Sequence, residues 1–318
     1  MGRWHAHAAG RLGAEIVAVV DVSLEAAQEL AARFGVGAVY ADLDIALAEE
    51  AGIDVVHICS PIESHALLID VTLARGCHAL VEKPLVSSLA ETEAALGRAH
   101  ECGRLLSPVH QLPFQSGFRS LLERREQLGE LVRVDYRTCS AGGIGRSADE
   151  RRRILVEILP HPVSLLHRLF GDSVAHADLE VVRFTADDLE IAGELAGTRL
   201  DVSISLRGRP TRNELEIVGT RATGFADLFH GYAIVEIGHV SRSAKIARPF
   251  RRGGQLISMA SLNLASRTLR REPAYPGLRE LIERFYVAAL GGSVPPITAS
   301  ETLAAARVME RVRVGSSL

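Results

Sequence analysis

Residues 57–85 read HICSPIESHALLIDVTLARGCHALVEKPL, and together with the three residues before them they divide into three elements. DVVHICS at 54–60 reads as a short strand. Residues 64–75 have the length and composition of a helix, and HALVEK at 78–83 reads as a second short strand. Strand, helix and strand in that order imply a right-handed crossover between parallel strands. The expected class is therefore α/β.

Lys83 closes the second of those strands. It is one of two lysines among 318 residues, in a chain whose basic charge is otherwise arginine. An ammonium can lose its proton when a pocket lowers its pKa, whereas guanidinium stays charged at any working pH. Lys83 thus reads as chemistry, the plainer alternative being a surface lysine beside a turn-forming proline.

Outward from this unit the alternation continues. EIVAVVD at 15–21 is a further strand, this one buried, and LEAAQELAARF at 24–34 sets Leu24, Ala27, Leu30, Ala31 and Phe34 on one stripe with Gly35 as C-cap. Helices are expected around 44–51 and 88–102, and a strand at 104–110. This is a Rossmann-type parallel sheet domain over residues 1–108. From 109 to 318 the pattern changes to a carboxyl-terminal α/β domain. After an amphipathic segment at 116–128 come LVRVDYRT, DLEVVRFT, DLEIAGEL, RLDVSISL, NELEIVG, TGFADLF and YAIVEIG, short runs with period-two alternation. They predict a mostly antiparallel meander with one face toward helices and the other toward solvent or a partner subunit. Helical patterns lie at about 160–170, 276–290 and 299–313.

Composition narrows the function classes. A net charge of -3 gives no global attraction to nucleic acid or anionic lipid, and the clusters Arg151–Arg153 and Arg251–Arg252 read as solvated faces. Cys59, Cys77, Cys102 and Cys139 lack CxxC spacing, which argues against a zinc knot or disulfide framework, so no metal is expected. No run of about 18 apolar residues and no leader pattern are visible, so the expected location is cytoplasmic, without a membrane partner.

Asp21 ends the first visible strand, where a doubly wound sheet places the acid that bonds the adenosine ribose; a helix N-cap or solvated turn is the alternative. A carboxylate there would repel a 2′-phosphate and so favours NAD over NADP. Gly2 can serve as the last glycine of a GxGxxG phosphate turn, followed by a helix from Arg3 to Leu12, whereas the first two glycines and the strand before them are absent from the sequence. The economical expectation is a start codon assigned too late, which an in-frame VGxxGxG-like segment upstream would show.

These motifs together resemble the Gfo/Idh/MocA family of nicotinamide-dependent oxidoreductases, over essentially the whole chain. Gly2-Arg3-Trp4-His5-Ala6 looks like the tail of the family's phosphate turn and Asp21 like its ribose acid. Cys59-Ser60-Pro61 with His65 resembles its Thr-Pro…His stretch. Glu82-Lys83-Pro84 is its EKP signature, followed by Leu85. The resemblance implies cofactor contacts from Gly2, Asp21, Ser60, Pro61, His65, Glu82, Lys83 and Pro84, with His65 equally readable as structural. The Lys83-Pro84 bond is a candidate for cis. His57 and His78 read as core or strand-end residues, and His110 and Gln111 as lining the crevice.

The family's DxxxH pair corresponds to Glu157-Ile158-Leu159-Pro160-His161. Spacing of i to i+4 puts both side chains on one helical face, where the carboxylate can orient the imidazole. Here Glu157 replaces aspartate, and Pro160 requires the helix to start there or to kink. The implied activity is NAD(P)-dependent hydride transfer between nicotinamide and a carbinol carbon of a sugar, cyclitol or related small metabolite. In it His161 takes the hydroxyl proton, Lys83 steadies the oxyanion and Glu157 orients His161. Two other classes stay open: a cofactor-poor binding or assembly subunit, and an NAD-assisted epimerase or lyase with no net redox change. A homodimer or homotetramer would suit a sheet with one face uncovered by helices.

Overall fold

The computed structural model describes residues 1–238, 241–272 and 274–315. The chain forms two compact units, one of Met1–His110 with Leu278–Ala306 and the other of Gln111–Gly277 with the segment that begins at Arg307.

The first unit alternates helix and strand: α1 (Gly2–Arg11), β1 (Ala18–Val20), α2 (Leu24–Phe34), β2 (Ala38–Tyr40), α3 (Leu43–Glu49), β3 (Val55–Ile58), α4 (His65–Ala74), β4 (His78–Val81), α5 (Leu89–Glu101) and β5 (Leu106–Pro108). Local chemistry sets the helix ends. Ser23 Oγ accepts from the Ala26 amide at 3.3 Å to start α2, and Gly35 ends it in the left-handed region at φ 69°, where a Cβ would be strained. A Ser88/Glu91 capping box starts α5. Ile58, Ile69, Leu73, Val81 and Leu106 form the core around β3, β4 and β5, while Ala27 and Ala31 of α2 pack on Val19.

The parallel strands do not make one sheet. β1 pairs with β2, and β3, β4 and β5 form a separate three-stranded sheet; among the described residues no strand joins the two. Parallel strands are normally covered on both faces. Ala79, Leu80 and Val81 of β4 reach that state at 0% exposure, whereas β1, β2 and β3 stay largely half-buried.

The second unit contains α6 (Ser116–Glu123), α7 (Arg125–Leu128), β6 (Leu131–Cys139), α8 (Ala148–Ile158), α9 (Pro160–Phe170), β7 (Asp178–Phe184), β8 (Asp188–Leu195), β9 (Thr198–Ser205), β10 (Arg212–Gly219), β11 (Ala222–Asp227), β12 (Tyr232–Ile237) and α10 (Arg242–Arg270). All seven expected strands are present, but they are not a simple meander. The sheet order is β12-β11-β10-β6-β9-β8-β7, with β6 parallel to β9 and every other pair antiparallel. The connection from β6 to β7 carries α8 and α9, so no hairpin turn ties β6 to its successor, and parallel pairing needs such a long crossover. Alternate residues along β9 and β11 are buried, and α6 lies against β11 and β12 on the covered side. Gly117 permits that approach, since a Cβ there would sit 2.6 Å from the Tyr232 carbonyl carbon. The chain closes with α11 (Leu278–Gly291) and α12 (Ala299–Gly315).

Candidate functional site

Ile58, Val81 and Pro108 stand in register across β3, β4 and β5. Because the strands are parallel, the residues that follow all leave one edge: Cys59 and Ser60, then Glu82 and Lys83, then Val109 and His110. Open α/β sheets bind ligands beyond such carboxyl ends.

Two loops at this edge are bound together by one imidazole. His65, the first residue of α4, is 1% exposed, with Nδ1 at 3.1 Å from the Pro84 carbonyl oxygen and 3.0 Å from that of Leu85, and Nε2 at 3.0 Å from that of Ser60. The ring is therefore committed to shaping the loops that carry Ser60 and Lys83. Pro61 caps a short 3-10 turn at Ile62–Ser64, and Ser60 Oγ lies 2.7 Å from Ser64 Oγ. The Lys83-Pro84 bond is cis, and Lys83 is half-buried where Pro84 and Leu85 are buried.

Glu82 points inward. At 8% exposure its Oε1 accepts from His5 Nε2 at 3.0 Å, and its Oε2 from the Lys83 amide at 3.2 Å. His5 on α1 is 2% exposed, and its Nδ1 is 2.9 Å from Nδ1 of His57 on β3. His57 Nε2 in turn lies 2.9 Å from Tyr286 Oη on α11. Burial pulls the His5 pKa down, but Cys59 and Glu82 outweigh it and raise it to about 9. His57 goes the other way, lowered to about 3 by burial and by the His5 charge. Burial pushes Glu82 up, yet His5 and Lys83 more than offset this and hold it below the usual carboxylate range. Burial raises Tyr286 to about 12. The assembly at neutral pH is thus a buried imidazolium between a carboxylate and a neutral imidazole.

The remaining sequence candidates take varied places. Gly2 opens α1, whose first turn receives no side-chain cap, so the helix offers backbone N–H groups and a positive end to an anion. A Cβ at Gly2 would meet only Leu30 at 3.7 Å, so packing alone does not demand glycine there. Asp21 follows β1 on the surface, and its Oδ1 accepts from the Ser23 amide at 2.9 Å. That is the turn-forming alternative realised, and it is compatible with a ribose contact. His110 is 2% exposed with Nδ1 3.8 Å from Glu301 Oε1, and His78 accepts from the Leu105 amide at 2.8 Å, so both are built into the first unit.

In the second unit Glu157 lies near the end of α8 and His161 in the first turn of α9, both half-buried. Pro160 is the first residue of α9 and has no amide to lose there, so the helix starts anew rather than kinking through the motif. Leu159 between them keeps right-handed helical angles, φ -55° and ψ -32°, and Ser164 Oγ donates to the His161 carbonyl at 2.9 Å.

Sequence reading passed over His5 and Tyr286 as functional residues. A histidine in the first turns of a helix opening at glycine, with a buried acid after a strand, was the available signal for His5. Tyr286 lies on a helix far along the chain and left none.

The family described as an oxidoreductase family with an NAD-binding Rossmann fold matches residues 1–110. An uncharacterised oxidoreductase of Escherichia coli (strain K12) is 33% identical over 134 residues, 42% of this chain and 40% of its own. Inositol 2-dehydrogenase of Pseudomonas syringae pv. syringae (strain B728a) is 27% identical over 237 residues, 68% of this chain and 67% of the relative. The chain therefore spans less than half the length of the first of these relatives and about two thirds of the second. Among solved structures, UDP-N-acetylglucosamine 3-dehydrogenase from Acidithiobacillus ferrooxidans superposes with a TM-score of 0.73 at 19% identity, covering 99% of this chain and 94% of that one. That likeness shows a shared fold.

Proposed function

We propose that this chain, whose residues 1–110 match an oxidoreductase family with an NAD-binding Rossmann fold, acts as a member of the Gfo/Idh/MocA family and transfers a hydride between a nicotinamide cofactor and a carbinol carbon of a sugar, cyclitol or related small metabolite. The observation that carries this reading is the edge beyond β3 and β4, where His65 binds the Ser60 and Pro84 loops together around Lys83. A relative that acts on inositol and a structural neighbour that acts on a nucleotide sugar support the substrate class.

The residues present fit a dinucleotide in part. The uncapped start of α1 at Gly2 suits the pyrophosphate, Asp21 at the end of β1 suits an unphosphorylated ribose and favours NAD, and Ser60 and Pro61 would border the nicotinamide. When bound, the nicotinamide supplies the hydride acceptor. This chain's own contribution is proton handling and alignment: His161 takes the hydroxyl proton, Glu157 orients His161, and the Lys83 ammonium hydrogen-bonds the developing oxyanion. In this reading residues 1–108 hold the cofactor, and residues 109–318 supply substrate contacts and a homo-oligomer surface. Exposed Val132 and Val182 on the sheet, at 48% and 63% exposure, suit such a surface. The described residues contain no helix long and apolar enough to cross a membrane, and a cytoplasmic location fits the proposal.

One observation favours a second reading. The division of the parallel strands into two sheets thins the centre of the dinucleotide unit, as a cofactor-poor binding subunit would allow. Calorimetric titration of NAD and NADP into the purified chain decides between them. Binding of NAD in the micromolar range, with absorbance of reduced cofactor appearing on addition of a polyol, supports the oxidoreductase. Absence of binding to either nucleotide overturns it. Turnover of substrate without net reduced cofactor would instead indicate epimerisation or elimination.

A further inference from the structure

Three residues outside the nominated catalytic set reach Lys83 through a continuous chain of hydrogen bonds: Tyr286 on α11, His57 on β3 and His5 on α1, ending on Glu82. All lie in the first unit. Neighbouring rings in the chain meet edge to face, His5 to His57 at 5.2 Å and 90°, and His57 to Tyr286 at 5.7 Å and 67°. That geometry directs each ring nitrogen at the next group rather than stacking the rings. The inner end is sealed, with His5 at 2% and Glu82 at 8% exposure, while Tyr286 at the outer end is half-buried.

We infer that Tyr286, His57 and His5 form a buried proton relay that sets the charge beside Glu82 and so positions Lys83. The positioning role rests on the hydride-transfer reading of the same edge, whereas the relay stands on the geometry alone.

Counting protons defines the two states. With His5 doubly protonated, its Nε2–H donates to Glu82 and its Nδ1–H donates to His57 Nδ1. His57 must then carry its single proton on Nε2, donating to Tyr286 Oη, and the tyrosine hydroxyl proton points away from the chain. Loss of one proton reverses the His5–His57 and His57–Tyr286 bonds. The Nδ1 proton of His5 passes to His57 Nδ1, the Nε2 proton of His57 passes to Tyr286 Oη, and the tyrosine's own proton leaves at the half-buried end. Two protons move one step each along the chain, and a third leaves. His5 keeps its bond to Glu82 throughout, but the donor changes from an imidazolium to a neutral imidazole, and the Coulombic attraction to the carboxylate is lost. Because Glu82 Oε2 also accepts the Lys83 amide at 3.2 Å, the change reaches the backbone of the residue expected to meet substrate.

The titratable groups facing this relay are Cys59 and His57 from β3 and the residue after it, Glu82 and Lys83 beyond β4, and Tyr286 from α11. They favour the first state at neutral pH. Burial lowers the His5 pKa, Cys59 and Glu82 raise it to about 9 overall, and His57 is held neutral down to about 3. A neutral imidazole of alternative tautomers is what a relay needs in its middle position.

The test is ¹⁵N NMR of the full chain labelled at histidine, titrated from pH 6 to pH 10. The expected result is a His5 ring protonated on both nitrogens at pH 7.5, titrating near pH 9, with the His57 proton moving from Nε2 to Nδ1 at the same midpoint. Tyr286→Phe removes the acceptor for His57 Nε2–H, so it should lower the His5 midpoint by about one pH unit and uncouple the tautomer change. In turnover that variant should shift the alkaline limb of kcat down by about the same interval at nearly constant KM. A merely structural tyrosine would lower activity equally at every pH. His5 singly protonated at neutral pH, or a His57 tautomer that is the same on both sides of the titration, overturns the relay, and because wild-type protein gives this answer it does not depend on variants folding. An active enzyme without the tautomer change removes the relay alone. The tautomer change in a chain that neither binds NAD nor oxidises a polyol removes the hydride-transfer reading and leaves the proton path.

Discussion

At the scale of single residues, Lys83 is held by its neighbours and not by its own side chain alone. Its amide is bonded to Glu82, its peptide bond to Pro84 is cis, and the carbonyls of Pro84 and Leu85 are fixed by His65. Replacing Lys83 by Arg would keep the charge but bring a larger, planar group with a fixed donor fork into a site shaped for an ammonium. Lys83→Arg is expected to lower kcat by at least about 10²-fold with the fold intact by circular dichroism, the magnitude of general acid–base assistance; full activity would take Lys83 out of the mechanism. His161→Ala should lower kcat by about 10²- to 10⁴-fold while NAD affinity stays within about twofold. Equal loss of cofactor binding would mark His161 as structural. Lys83 was legible because lysine is scarce here and a strand-ending acid and a proline flank it. Glu82 was read as touching cofactor, and its bond to His5 was hidden, because a separation of 77 positions in sequence gives no local signal that two groups will be buried face to face.

At the scale of elements, α5 begins a few residues beyond Lys83 and is fixed by the Ser88/Glu91 capping box, with Glu91 Oε2 accepting from the Ser88 amide at 3.0 Å and Ser88 Oγ from the Glu91 amide at 3.2 Å. Ser88→Ala should cost about 1 kcal/mol of unfolding free energy in urea titration. It should also raise amide exchange in the first turn of α5 above that of the rest of the helix; uniform exchange along α5 would show that the cap is not what holds the turn. Elements of this kind were readable because their signals are local. The seven strands of the second unit announced themselves by period-two alternation, and Gly35 by its place after an apolar stripe. The sheet order was not readable: β6 sits between β9 and β10 because of a long crossover through α8 and α9, and side-chain alternation is the same whichever strand lies alongside. β2, with three residues, was too short to carry a pattern, and α10 was passed over because its 29 residues hold Pro249 and two glycines.

At the scale of the whole molecule, the relay makes stability depend on pH in a direction that can be worked out group by group. His5 has an ordinary value of 6.5 and is raised to about 9 in the folded chain. Between those values the folded state keeps a proton that the unfolded state has released, so stability is fully present below about pH 6.5 and is lost as pH rises toward 9, by up to about 1.4 kcal/mol per pH unit. His57 is lowered from 6.5 to about 3, so between those values the unfolded state binds the extra proton and stability is lost as pH falls. Glu82, lowered from 4.5, adds to that loss on the acid side. The two histidines therefore give opposite slopes that meet near pH 6.5. Urea midpoints measured from pH 4 to pH 9 should pass through a maximum close to that value, and the double variant His5→Gln with His57→Gln should flatten both limbs while lowering the maximum. A midpoint that continues to rise from pH 6.5 to pH 8.5 would mean that His5 is not held as a cation, because only a group that takes up a proton on folding makes the native state weaken as alkali is added.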